Sequence, residues 1–168
     1  MPFFPLFWNP FFENNNRNCH CGPTATRNFA TTFVPSAIEL NNQTEQTVNA
    51  GDEVDFAQSN LNTGVSFTYT AGNNFFEIVS NGVYAINFSA NLTSQDATTA
   101  NFAIAVDDTA NLTSQIVQTI SAQASENVKT QLFIKVTNVP VKISVLNNGN
   151  TAVNVTYANL SAVKIGEF

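Results

Sequence analysis

Two cysteines flank the single histidine of the chain in Cys19-His20-Cys21, three side chains able to bind a metal, attack carbon or bond sulfur to sulfur. Spacing restricts them. A tetrahedral zinc site takes four ligands at wider intervals, so a metal here would have to be shared between chains. Cysteines one residue apart are also poorly placed to bond each other. An intermolecular disulfide is the favoured reading, with free thiols and a shared metal left open. Since His20 is the only histidine, a Ser-His-Asp or Cys-His device would carry its general base in a segment that reads as a linker, which argues against nucleophilic catalysis. Carboxylates gather at Asp52-Glu53-Val54-Asp55 and Asp107-Asp108. Such pairs can serve acid–base chemistry or hold calcium, but no glycine-punctuated calcium loop surrounds them, and they read as polar loop residues. No phosphate-cradling loop or dinucleotide fingerprint is present. The reading is a non-enzyme without cofactor or metal.

The first twelve residues, Met1-Pro-Phe-Phe-Pro-Leu-Phe-Trp-Asn-Pro-Phe-Phe12, hold five of the 15 Phe, the only Trp and three of the 6 Pro. Six aromatic rings at roughly 150–250 Å² each can hide on the order of 1,000 Å², too much apolar surface to leave in water. Pro2, Pro5 and Pro10 disfavour helix and keep the peptide extended. A signal peptide would need a basic start and an unbroken apolar stretch, and a transmembrane helix about 20 apolar residues; neither fits. Folding back on its own domain and dipping into a membrane interface stay open. Docking into another subunit or a host layer is favoured, through Phe3, Phe4, Leu6, Phe7, Trp8, Phe11 and Phe12.

What favours it is the segment 13–30, rich in Asn, poor in apolar residues and broken by Gly22-Pro23. It reads as a flexible tether. Fully extended, residues 1–12 and their tether reach on the order of 90 Å, further than the width of the domain that follows.

Residues 31–168 are long enough for one well-cored domain. Only 11% of the chain is charged, with 12 acidic against 6 basic side chains and a formal net charge of -6. Nucleic acid is thereby a poor partner, because a phosphate backbone calls for clustered Lys and Arg. So low a charge fraction also suggests that much of the surface is contact area between subunits.

Alternation with a period of two dominates this domain. Tyr84, Ile86, Phe88, Ala90 and Leu92 fall on one face, and Ala85, Asn87, Ser89 and Asn91 on the other. Val128 to Val136 and Val141 to Val145 repeat the pattern, as do Phe102-Ile104-Val106 and Val65-Phe67-Tyr69. Turn residues separate these runs at Ala71–Asn74, Ser80–Gly82, Asp107–Ala110, Asn138–Pro140 and Asn147–Asn150. About eight to ten short strands predict an all-β jelly-roll sandwich. Gly82 is expected in a tight turn with positive φ. Phe133 and Leu146, on the faces opposite the core positions, and the small Ala103 and Ala105 predict a second covered face. The N-x-[ST] sequons at Asn42, Asn91, Asn111, Asn154 and Asn159 follow simply from Asn and Thr richness.

Tyr69, then Phe76, then Gly82-Val-Tyr84-Ala-Ile86-Asn-Phe88 resembles the signature of the complement 1q and tumour-necrosis-factor (TNF) jelly-roll superfamily. In that signature an aromatic is followed by Phe and then by Gly-x-Tyr-x-Phe-x-aromatic. Ile86 stands where the pattern has Phe, and Gly64 where it usually has Asn or Asp. Ala158 to Ile165 is similar to the family's closing strand. The resemblance covers roughly Ala37 to Ile165, and it implies a TNF-like jelly roll that forms a homotrimer.

With its N-terminal connector, the chain as a whole resembles spore-surface proteins of Bacillus and its relatives. It is most similar to subunits of thin endospore appendages, or spore pili, related to the C-terminal domains of BclA-type exosporium glycoproteins. No collagen-like Gly-X-Y stalk precedes the domain here. The resemblance implies an extracellular structural subunit whose trimers stack head-to-tail, each inserting its connector into the next, with an exosporium anchor protein and a tip protein as further partners. The competing expectation is an exosporium-anchored TNF-like adhesion or ligand module.

Overall fold

The computed structural model describes residues 33–168. The aromatic connector and the whole tether, Cys19 and Cys21 included, lie outside the described residues. Twelve strands form: β1 (Ala37–Asn42), β2 (Gln46–Val48), β3 (Gln58–Thr63), β4 (Phe67–Thr68), β5 (Phe76–Ile78), β6 (Gly82–Thr93), β7 (Thr98–Val106), β8 (Thr109–Ala110), β9 (Ile116–Ile120), β10 (Ser125–Val136), β11 (Val141–Asn147) and β12 (Val153–Gly166). A 3₁₀ turn, Leu112–Ser114, separates β8 from β9. The count exceeds the eight to ten expected because β2, β4, β5 and β8 are only two or three residues long. Runs that short carry too few alternations to register as a period.

Two antiparallel sheets pack face to face. The first runs β10-β6-β12-β1-β3, with β2 on β12; the second runs β4-β5-β11-β7-β8, with β9 on β7. The central neighbours, β10-β6, β6-β12 and β12-β1 in the first sheet and β5-β11 and β11-β7 in the second, are distant in sequence, the crossing pattern of a jelly roll. The period-two sequence explains how the sandwich closes. On β6 the residues Tyr84, Ile86, Phe88, Ala90 and Leu92 are all essentially inaccessible, and they meet Phe102, Ile104, Ile143 and Val145 of the second sheet in one core. Phe88 and Phe102 bridge the layers with ring centroids 5.7 Å apart. Toward one end, Phe67 packs edge-on against Phe76 and Tyr84 at 5.6 and 5.5 Å. Such pairs add about 0.5–1.5 kcal/mol beyond their area.

Two expectations change in detail. Of the run Val65-Phe67-Tyr69, only Phe67–Thr68 is strand, and Val65 stands exposed instead of sharing the face of Phe67. Gly82 opens β6 with φ +155°, and the stronger reason for glycine there is space. A Cβ would lie 2.5 Å from Lys164 Cε and 2.9 Å from the carbonyl oxygen of Gly166. The bare backbone lets the Lys164 side chain pass into the end of the sandwich, where Lys164 is only 5% exposed. Its ammonium meets Glu167 Oε1 at 2.7 Å and donates to Ser80 Oγ at 3.2 Å, the pairing that a buried charge requires. Tyr84 Oη donates to the Ser80 carbonyl at 2.7 Å, drawing the same bend inward.

Candidate assembly interface

The first sheet has an outer face that no described element covers. Because Ile38, Leu40, Ile86, Phe88, Leu132, Leu160 and Ala162 point into the core, alternation sends their neighbours outward. The register arranges those neighbours in rows across the sheet. Phe133 pairs with Ala85, Ala85 with Val163, and Val163 with Ala37. One step along, Gln131, Asn87, Ser161 and Glu39 form the next row. Lys129, Ser89, Asn159 and Asn41 form the one after.

The rows differ in kind. At the Phe133 end the surface is apolar: Phe133 is 61%, Phe168 60% and Ile165 50% exposed, with Val163 beside them. Lys135 extends across this end with its ammonium 4.1 Å from the Phe168 ring centroid. The chain enters the fold here as well, since the backbone N–H of Lys164 donates to the carbonyl of Ser36, just before β1. Exposed side chains of this size gather at one end of the sheet, on β10 and β12 with Ala85 of β6 between them, the kind of surface that marks association.

Beyond the apolar row, the face turns to amides. Gln131 Nε2 donates to Asn87 Oδ1 at 2.8 Å, Asn127 Nδ2 to Asn91 Oδ1 at 2.7 Å, and Asn159 Nδ2 to Glu39 Oε1 at 2.7 Å. A groove of about 450 Å³ lies over this half, lined by Asn87, Ser89, Lys129, Gln131 and Asn159. Alternation alone marks these residues as outward-facing. Their pairing across strands, Asn87 to Gln131 and Glu39 to Asn159, depends on strand order and is invisible to a reading along the chain.

The signature positions fall in the core. Phe76, Tyr84, Ile86 and Phe88 are buried, and the half-buried Tyr69 donates its hydroxyl to the Phe56 carbonyl at 3.0 Å. Ala103 and Ala105 are fully buried yet stand apart from the main core cluster, on the outer side of the second sheet.

The two carboxylate groups also find their place, around a residue that sequence reading passed over. Asp107 and Asp108, with φ of 49° and 63°, make the two-residue turn between β7 and β8, a geometry in which Asp is among the tolerated residues. Lys142 on β11 then reaches Asp108 Oδ1 at 2.6 Å and Glu53 Oε1 at 2.8 Å. Its ammonium lies 4.6 Å from the centroid of the Phe75 ring. Burial works to lower the Lys142 pKa, but the hydrogen bonds and charges of Asp108 and Glu53 outweigh it and hold the pKa above its ordinary value. Glu53 and Asp108 thus serve as counterions to a lysine. Among the described residues, no group of three or more His, Cys, Asp or Glu side chains is placed to hold a metal, and no helix is long and apolar enough to cross a membrane.

No family model matches the sequence, and no curated protein does. Solved structures are another matter. The globular domain of a zebrafish complement 1qA protein superposes with a TM-score of 0.58 over 79% of this chain and 99% of that one, at 13% identity. The fold is that of the complement 1q and TNF globular domains. An Eiger TNF from S. frugiperda matches with a TM-score of 0.56 at 10% identity, covering 81% of this chain and 94% of its own. Murine APRIL matches with 0.52 at 12% identity, covering 79% and 100%. In the TNF-like jelly roll seen here, the Tyr84 strand sits between β10 and β12 in the first sheet, so its polar alternate residues belong to the uncovered face.

Proposed function

We propose that this protein is a structural, non-enzymatic, self-assembling subunit of an extracellular fibre on the spore surface. The carrying observation is the uncovered face of the first sheet with its apolar row. Phe133, Val163, Ile165 and Phe168 are more apolar surface than an isolated sandwich has reason to expose, and a second copy of the same face is the natural cover. Three copies around a three-fold axis bring these rows together, which agrees with the homotrimers that complement 1q and TNF-like domains typically form.

The aromatic connector then joins one trimer to the next. Phe3, Phe4, Leu6, Phe7, Trp8, Phe11 and Phe12 insert into the neighbouring trimer, and Cys19 and Cys21 close disulfides between subunits. Such a head-to-tail contact does not close on itself and so generates a filament. Three connectors acting together raise the effective concentration of one another once the first has docked. An anchor protein in the exosporium and a protein at the tip complete the appendage.

Negative-stain microscopy of the full chain and of a variant lacking residues 1–12 tests this reading. Filaments from the full chain and isolated trimers from the truncated one are expected. Filaments of equal length from the truncated protein would show that the connector is not the joint.

A further inference from the structure

One strand of the sandwich is out of keeping with the others. β3 pairs with β1 along one edge and with no described strand along the other, and all six of its residues, on both faces, are exposed. Sheet edges open to water are ordinarily guarded by Lys, Pro or an inward charge. Gln58-Ser-Asn-Leu-Asn-Thr63 has none of these. Its one guard is a bulge: Glu39 pairs with Leu61 but Leu40 with Ser59, which makes Asn60 the extra residue. Past the bulge, Leu61 to Thr63 keeps regular register with β1 and runs on into Gly64 and Val65. Leu61 is 41% and Val65 72% exposed, aliphatic side chains that no described element covers.

The chain outside the described residues arrives at this same place. Ser36 Oγ accepts the Val65 N–H at 3.3 Å, and Pro35 and Ser36 press on Gly64 so closely that a Cβ there would lie 2.7 Å from the Pro35 carbonyl oxygen. Passing from the line of β1 to the far side of β3 spans two strand spacings, about 10 Å, which the three steps from Ser36 back to Phe33 cover. The sequence upstream suits a strand. Residues 24–34 lie between Pro23 and Pro35 with no Gly or Pro of their own, and Phe29-Ala-Thr-Thr-Phe33 is β-branched or aromatic at every position but Ala30. We infer that residues 29–33 of the same chain add to the free edge of β3 as a parallel strand. With Phe33 beside Val65, counting back along the edge puts Thr31 beside Thr63 and Phe29 beside Leu61, so each exposed aliphatic side chain gains an aromatic neighbour on its own face. The added strand closes the edge against stray pairing. It also shortens the free tether and turns it, so that the tether leaves along the flank of the sandwich toward the Gln58 end of β3. None of this depends on the head-to-tail reading.

Engineered disulfides in the full-length chain, with Cys19→Ser and Cys21→Ser, test the added strand. Neighbouring strands place facing Cα atoms about 4.8 Å apart, within the span of a disulfide. Phe29→Cys with Leu61→Cys is expected to oxidise within one chain, as read by peptide mapping under non-reducing conditions, while Phe29→Cys with Gln58→Cys stays reduced. A disulfide between chains would give the edge to a second copy and overturn the inference. Thiols at 29 and 61 that stay reduced, or oxidise no faster than the pair at 29 and 58, would overturn it too. With the native sequence, hydrogen exchange at residues 61–65 is expected to be about tenfold slower than in Thr31→Pro, whose missing N–H breaks the added strand. Equal exchange in the two proteins would count against the strand as decisively as a missing disulfide.

Discussion

Lys142 is where charge, turn geometry and stability meet in one side chain. Asp107 accepts the Lys142 backbone N–H at 2.9 Å through Oδ1, and Asp108 and Glu53 both pair with the ammonium. The folded pKa lies above the ordinary value, so the charged form is favoured by folding. Its contribution to stability is complete below the unfolded pKa of about 10.4 and is lost as pH rises through the folded one. Urea melts from pH 8 to 12 should show wild type losing stability above about pH 10.4 more steeply than Lys142→Met, because the variant has no proton to give up there. Parallel curves for the two proteins would mean that the ion pairs add nothing. The two acidic clusters were visible in the sequence as loop residues, and Asp107-Asp108 as a turn. Their shared lysine was not, because it lies 34 residues from Asp108 and nothing local in Val141-Lys142-Ile143 distinguishes it from any outward position of a strand. Gly82 was legible as indispensable but for an incomplete reason: its room is needed by Lys164, again a partner remote in sequence.

Among the elements, β7 depends on a side chain to complete its hydrogen bonding. The short β8 pairs with Ala105 and Val106, and β9 with Thr98 through Phe102, which leaves Ile104 facing the 3₁₀ turn between them. The turn repairs the gap. Asn111 N–H donates to the Ile104 carbonyl at 2.9 Å, and Ser114 Oγ accepts the Ile104 N–H at 3.0 Å while donating to the Asn111 carbonyl at 2.7 Å. Thr130 Oγ1 of β10 then donates to the Ser114 carbonyl at 2.7 Å, tying the turn to the first sheet. Ser114→Ala leaves the buried Ile104 N–H without an acceptor and should cost about 1–3 kcal/mol, read as a lower midpoint in urea with unchanged slope. An unaltered midpoint would mean that water or a backbone shift replaces the hydroxyl. At this scale the long strands were plain in the sequence. Tyr84 to Leu92 and Val128 to Val136 alternate through four or more repeats, and each became a twelve-residue strand. The pieces of two or three residues and the 3₁₀ turn were not, because their partners, not their own residues, define them.

For the molecule as a whole, the two faces of the first sheet carry different instructions. The inner face specifies the jelly roll through residues whose alternation any sandwich would show. The outer face grades from an apolar row to amides, and that gradient has no use in a monomer. If the row of Phe133, Ala85, Val163 and Ala37 closes a three-fold contact, its largest exposed member should govern oligomeric state without entering the fold. Phe133 is 61% exposed, so Phe133→Glu removes no core packing, and surface substitutions of that kind change stability by about 0.5 kcal/mol or less. In the trimer the same change would set three carboxylates against one another in a desolvated contact, where like charges side by side cost several kcal/mol. Light scattering should therefore report three times the truncated chain's own mass for the wild-type protein lacking residues 1–12, and the single-chain mass for the same protein carrying Phe133→Glu. Both should unfold at nearly the same urea concentration when diluted to the monomer. A trimer that survives Phe133→Glu would move the contact off this row and onto another face.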